Sequence, residues 1–237
     1  MPDFDKAVSL YRSGKLEEAL EEVNGLLRDQ PRSASYHNLK GVILRKMGRS
    51  SDALGEFDEA ASLDPRNSIY RFHKANALLD LDRPDDALEE YEEAIKLDPG
   101  DPDYHYGKGN ALYFLGRFSE AIKEYDSAIK INPRNAYYRL NKAFALARMN
   151  ASSDAVQELD KALSMAPRDP IVWVNYVEAM SILWRRDDAV RRLRKAIEDG
   201  LVKVESICGA IQAELQVQHL MDEEAGLREL AESICNK

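Results

Sequence analysis
An all-α solenoid of helix–turn–helix repeats, ended by a C-terminal pair of capping helices, is the fold class that this 237-residue sequence predicts. Three columns of residues predict it. Prolines stand at Pro31, Pro65, Pro99, Pro133 and Pro167, each 34 residues after the last. Ala19, Ala53, Ala87, Ala121, Ala155 and Ala189 keep the same step, and so do Ala60, Ala94, Ala128, Ala162 and Ala196. Self-similarity at such a period marks a stack in which each unit packs on its neighbours.

Each element within a unit has its own signal. The column Ser33, Asn67, Asp101, Asn135 and Asp169 supplies helix N-caps. Pro102 and Pro170 follow two of these caps, at the first helical position, where the missing N–H costs nothing. The first helix of each unit ends at Gly14, Gly48, Asp82, Gly116, Asn150 and Trp184. Four of these six suit a left-handed cap, whereas Asp82 and Trp184 predict turns built differently. The second helix opens on acids such as Glu17, Glu18, Asp85, Asp86, Glu120, Asp187 and Asp188, which favour the positive end of the helix dipole. Its apolar stripe is seen in Ala121, Ile122, Tyr125, Ala128 and Ile129. Six units result, at about 1–33, 34–67, 68–101, 102–135, 136–169 and 170–202. Residues 203–237 lose the columns but keep two helical stripes. One is Val204, Ile207, Ile211 and Leu215; the other is Leu227, Leu230, Ala231 and Ile234, and the pair is expected to cap the stack.

Charge and composition narrow the function. The net charge is -9 and the pI about 5.1, which argues against nucleic acid and anionic membranes as partners. No apolar run approaches the ~20 residues of a bilayer span, and the charged start does not resemble a secretory leader, so a cytoplasmic location is expected. Cys208 and Cys235 form neither a disulfide framework nor a zinc spacing. His37, His73, His105 and His219 are scattered, and no nucleophile motif stands near them. No metal, cofactor or enzymatic activity is therefore expected. "GKGN" at 107–110 imitates a phosphate loop, but it lies within a helix. Gly109 there is a small packed residue, Lys108 belongs to a column, and Gly107 is read as opening space beside Asn110.

These columns resemble the tetratricopeptide repeat, with position 1 at Ala34, Ser68, Pro102, Ala136 and Pro170. Position 8 reads Ala7, Gly41, Ala75, Gly109, Ala143 and Val177; position 24 reads Val23, Phe57, Tyr91, Tyr125, Leu159 and Leu193. The resemblance covers roughly Met1 to Val202 and implies a right-handed α-α superhelix with a concave groove. There are two departures. Position 4 carries its large aromatic only as Trp173, while Tyr36, Tyr70, Tyr104 and Tyr138 stand one residue earlier. Position 7 reads Lys6, Lys40, Lys74, Lys108 and Lys142 before Tyr176. That position lies ~200° from position 9, so the lysines are expected to keep their stems at the edge of the core. Their ammonium groups would then sit in water, facing the acidic second helices.

In this family positions 2, 5, 9 and 12 of the first helix line the groove. The expected binding residues are Val42, Phe72, Asn76, Tyr106, Asn110, Tyr113, Leu140 and Phe144. Aromatic rings supply contact area, and asparagine amides pair with a peptide backbone. Phe72 and Tyr106 stand where chaperone-binding members carry lysines, so a carboxylate clamp is not expected. The implied function is a protein-interaction scaffold for a largely apolar peptide segment, as a monomer or weak homo-oligomer. The alternative is a self-assembling protein that pairs through the stripe around Ile207 to Leu220. Arg185, Arg186, Arg191, Arg192, Arg194 and Lys195 form one basic segment, read as a solvated face.

Overall fold
The computed structural model describes residues 3–217 and 224–235, with side chains undescribed at 214, 216–217 and 224–227. Among the described residues there are fourteen α-helices and no strand. They run α1 (Phe4–Arg12), α2 (Leu16–Asp29), α3 (Ala34–Lys46), α4 (Ser50–Leu63), α5 (Ser68–Asp80), α6 (Pro84–Leu97) and α7 (Pro102–Phe114). Then come α8 (Phe118–Ile131), α9 (Ala136–Arg148), α10 (Ser152–Met165), α11 (Pro170–Ile182), α12 (Arg186–Glu198), α13 (Val204–Val217) and α14 (Glu224–Cys235). The chain is a helical-repeat solenoid and divides into two compact units, Met1–Arg117 and Phe118–Lys237. None of the described helices is long and apolar enough to cross a membrane.

Backbone hydrogen bonds explain the helix ends. The side chains of Asn67, Asp101, Asn135 and Asp169 each accept from the backbone N–H two residues on. Ser33 instead spends its hydroxyl on Ser35. At the other end, all six turns share one bond, in which the residue after the left-handed position donates to a carbonyl five residues back. The pairs are Lys15 to Leu10, Arg49 to Leu44, Arg83 to Leu78, Arg117 to Leu112, Ala151 to Leu146 and Arg185 to Met180, at 2.9–3.0 Å. The expectation for Asp82 and Trp184 is corrected here. Their φ values of 55° and 58° sit beside Asn150 at 59° and the glycines at 71–78°, so their turns are built like the rest. The packing of the next helix imposes the closure, and these side chains accept the left-handed strain.

Small residues on one helix receive large ones from the next. In the N-terminal unit Ala19, Ala53, Ala87, Phe57 and Tyr91 are fully buried. A Cβ on Gly41 would fall within 3.0 Å of the Phe57 ring, and a Cβ on Gly107 within 3.0 Å of the Tyr91 ring. Gly107 therefore makes room for Tyr91, rather than for Asn110 as the sequence suggests. Tyr70, Tyr104 and Tyr138 are buried as well. In the C-terminal unit Leu159, Leu193, Trp173 and Val174 build a larger core with Ile207, Ile211, Leu230 and Ile234 from the last two helices. Burying each such side chain contributes about 1.5–3 kcal/mol.

Two further expectations change. Lys40, Lys74, Lys108 and Lys142 do not hold their ammonium groups in open water. Their side chains are only 18–24% exposed, and each is ion-paired with an acid of a second helix. The two cysteines do pair, since Cys208 on α13 is bonded to Cys235 on α14 with Cα atoms 5.8 Å apart. His219 and Leu220 lie outside the described residues, as does the side chain of Leu227.

Candidate functional site
The first helices of the N-terminal unit carry six of the eight expected binding residues, and all six are half-buried. Val42 lies on α3, Phe72 and Asn76 on α5, and Tyr106, Asn110 and Tyr113 on α7. Spacings of four and three residues place 72, 76 and 79 on one face of α5, and 106, 110 and 113 on one face of α7. The Phe72 ring lies 5.1 Å from Tyr104 and 6.1 Å from Tyr91, so α6 and α7 hold it in place. The ring as a whole is half-buried.

Polar groups beneath this face are tied to one another. The Tyr91 hydroxyl donates to Asn76 Oδ1 at 2.7 Å. Burial pushes the Tyr91 phenol well above its ordinary range, so it stays protonated as the donor. Asn76 thus has its carbonyl oxygen occupied, and its NH2 group is the remaining donor. Next to it, His73 Nδ1 lies 2.7 Å from Asn38 Oδ1, which makes Nδ1 the protonated nitrogen. Burial first, then the charge of Arg45, lower the His73 pKa to about 4, so the imidazole is neutral. Arg45 itself pairs with Asp80 at 2.6 Å. The face is therefore aromatic and amide-bearing, and its one described arginine is already matched by an acid.

Leu140 and Phe144 belong to α9 of the C-terminal unit. Leu140 is 1% exposed and packs in the core, so it cannot meet a ligand, and that expectation is corrected. It sits at the same repeat position as Phe72, but it belongs to one buried core cluster with Trp173, Val174 and Val177. Phe144 is half-buried against that core.

Sequence reasoning turned the lysines toward the acidic second helices but missed the direct pairing there, and it missed one exposed ring. The pairing is a charge ladder behind the first helices. Lys74 joins Asp58 and Glu90 at 2.7 Å each, and Arg71 donates to Glu90 at 2.9 Å. In the other unit Lys142 and Arg139 meet Glu158 in the same way. Its signal was the column of acids at repeat position 23, Glu22, Glu56, Glu90, Glu124 and Glu158, in step with the lysines. The ring is Trp184, 96% exposed at a left-handed backbone position.

A stack of helix pairs whose first helices present an aromatic and amide face defines a repeat-protein interaction scaffold. The chain belongs to the tetratricopeptide repeat family, whose models match residues 4–68, 43–102, 78–143 and 113–174. No curated protein matches the sequence. The fold is shared with solved tetratricopeptide proteins of low identity. The thermophilic protein TTC0263 of Thermus thermophilus is 21% identical with a TM-score of 0.64, over 74% of this chain and 96% of its own. MamA from Desulfovibrio magneticus RS-1 is 21% identical with a TM-score of 0.64, over 69% and 92%. YrrB, described as a tetratricopeptide protein with an unusual peptide-binding site, is 22% identical with a TM-score of 0.57, over 68% and 83%.

Proposed function
We propose that this chain is a non-enzymatic scaffold that holds a peptide segment of a partner protein on the first-helix face of its N-terminal unit. The observation that carries this reading is the set Phe72, Asn76, Tyr106, Asn110 and Tyr113, half-buried at matching positions of α5 and α7. Half-buried aromatic rings offer flat apolar area with little rotamer entropy left to lose. Asn76, with its oxygen taken by Tyr91, presents N–H groups to a peptide carbonyl. The partner segment is largely apolar, because aromatic and amide side chains make up these positions of α5 and α7. That YrrB is described as having a peptide-binding site agrees with this reading. The net charge of -9 points to proteins rather than nucleic acid or anionic membrane, and the cytoplasm is the location we assign with it.

The test starts from a peptide selected against the full chain from a random library. Binding is then measured for the wild type and for Asn76→Ala/Asn110→Ala, with helicity checked by circular dichroism. Loss of two backbone hydrogen bonds lowers affinity by about tenfold or more. A folded double variant that binds with unchanged affinity overturns the proposal.

A further inference from the structure
The last helix is tied on by the only two cysteines of the sequence. Cys208 lies on α13 and Cys235 closes α14, 27 residues further on. Both residues are half-buried. The other described attachments of α14 are non-covalent, and Ala231 packs against the core among them. Leu230 and Ile234 are buried in the core of the C-terminal unit. Glu229 pairs with Arg186 of α12, and the Ser233 carbonyl accepts from Arg194 at 3.4 Å. The Ser233 hydroxyl is buried with no hydrogen-bond partner, an unfavourable term in the same contact. A 12-residue helix is marginal by itself and depends on docking to persist.

We propose that Cys208 and Cys235 are a reversible thiol–disulfide clip that sets whether α14 stays docked on α11 and α13. In the closing direction a small disulfide accepts the electrons. In the opening direction the thiolate of a small thiol attacks one sulfur, the Cys208–Cys235 bond breaks and a mixed disulfide forms. A second small thiolate then attacks the small thiol's sulfur in that mixed disulfide, and the protein cysteine leaves as its thiolate. Two small thiols are oxidised to their disulfide, and the two protons end on Cys208 and Cys235. Opening removes the one described covalent attachment of α14 and leaves it held by non-covalent contacts such as Leu230, Ile234 and Glu229. The helix then spends a measurable fraction of time undocked, and Ile207 and Ile211 lose part of their cover. The repeats before α13 contain no cysteine and are indifferent to the change.

Hydrogen exchange read by mass spectrometry on the full chain tests the clip. The oxidised and thiol-reduced forms are compared, with alkylation reporting free cysteines. Amides of 224–235 are expected to exchange at least tenfold faster in the reduced form, while 34–165 stay within twofold. Oxidised glutathione should restore the slow pattern. Cys208→Ser/Cys235→Ser should exchange like the reduced form and ignore added thiol. The clip is overturned if α14 exchanges alike in both forms, or if both cysteines stay alkylatable after oxidised glutathione. The reduced wild type decides the matter even where the double variant fails to fold.

Discussion

Repeats three and five fill the slots behind their first helices with charge, whereas repeat six fills the same slots with rings. In repeat five, Arg139 at position 4 and Lys142 at position 7 both meet the carboxylate of Glu158 at position 23, and Lys142 also reaches Asp126 of the repeat before at 2.6 Å. Repeat three does the same with Arg71, Lys74, Glu90 and Asp58. In repeat six, position 4 is Trp173, position 7 is Tyr176 and position 23 is Arg192. The charge has changed sides. Arg192 donates to the Tyr176 hydroxyl at 3.0 Å, lies over its ring at 5.3 Å and pairs with Asp160 of the repeat before. Both arrangements staple one repeat to the next. The slot demands a bridge to the acid at position 25, and either helix can supply its cation.

The pairing at position 4 teaches the same lesson. Trp173 Nε1 donates to the Pro167 carbonyl at 2.9 Å, and His37 Nε2 lies 2.9 Å from the Pro31 carbonyl. Where position 4 holds a ring nitrogen, as in these two repeats, the imidazole reaches the proline carbonyl as the indole does.

The comparison breaks most visibly at Glu158, which is 6% exposed and serves Arg139, Lys142 and Lys161. Burial alone would raise its pKa; hydrogen bonds from Lys161 and Arg139 outweigh that and hold it below the ordinary value. Glu158→Ala strands the partly buried Arg139 and leaves Lys142 with Asp126, and urea unfolding should show a loss of about 3 kcal/mol. Asp160→Ala, which removes the half-exposed acid of the Arg192 staple, should cost below about 1 kcal/mol. Equal losses would mean that the two staples are not differently buried.

A smaller effect is expected from acid. The folded pKa of His73, about 4, lies below its ordinary 6.5, so the unfolded chain takes up the proton first as pH falls. Stability is therefore full above pH 6.5 and declines as pH drops towards about 4, by on the order of 2–3 kcal/mol. His73→Gln should flatten that part of a melting-temperature profile against pH. A profile unchanged by the substitution would place the acid sensitivity elsewhere. The smallest effect has the opposite sign. Trp184→Gly relieves the left-handed strain at φ 58° and removes a fully exposed ring, and should raise stability by about 1 kcal/mol in a denaturant melt. No gain would mean that the turn holds no strain to release.

Much of the fold was legible in the sequence because its cause is periodic. Proline, N-cap and alanine columns report local rules that repeat every 34 residues, and the helix bounds follow them. The candidate face was legible as positions on a helix but not as exposure. Leu140 and Phe72 share one repeat position, and only their neighbours bury the first and leave the second half-open. Gly107 looked out of register because the ring it accommodates, Tyr91, is sixteen residues away on α6.

The sequence by itself determined the family, the all-helical repeat fold and the direction in which each helix turns its apolar stripe, since these depend on local patterns that recur along the chain. Tertiary structure alone decided which lysines are paired, that Asp82 and Trp184 adopt the glycine conformation, and that Cys208 meets Cys235. Each of those depends on what a neighbouring helix brings within a few ångströms, and a one-dimensional pattern carries no distance between helices.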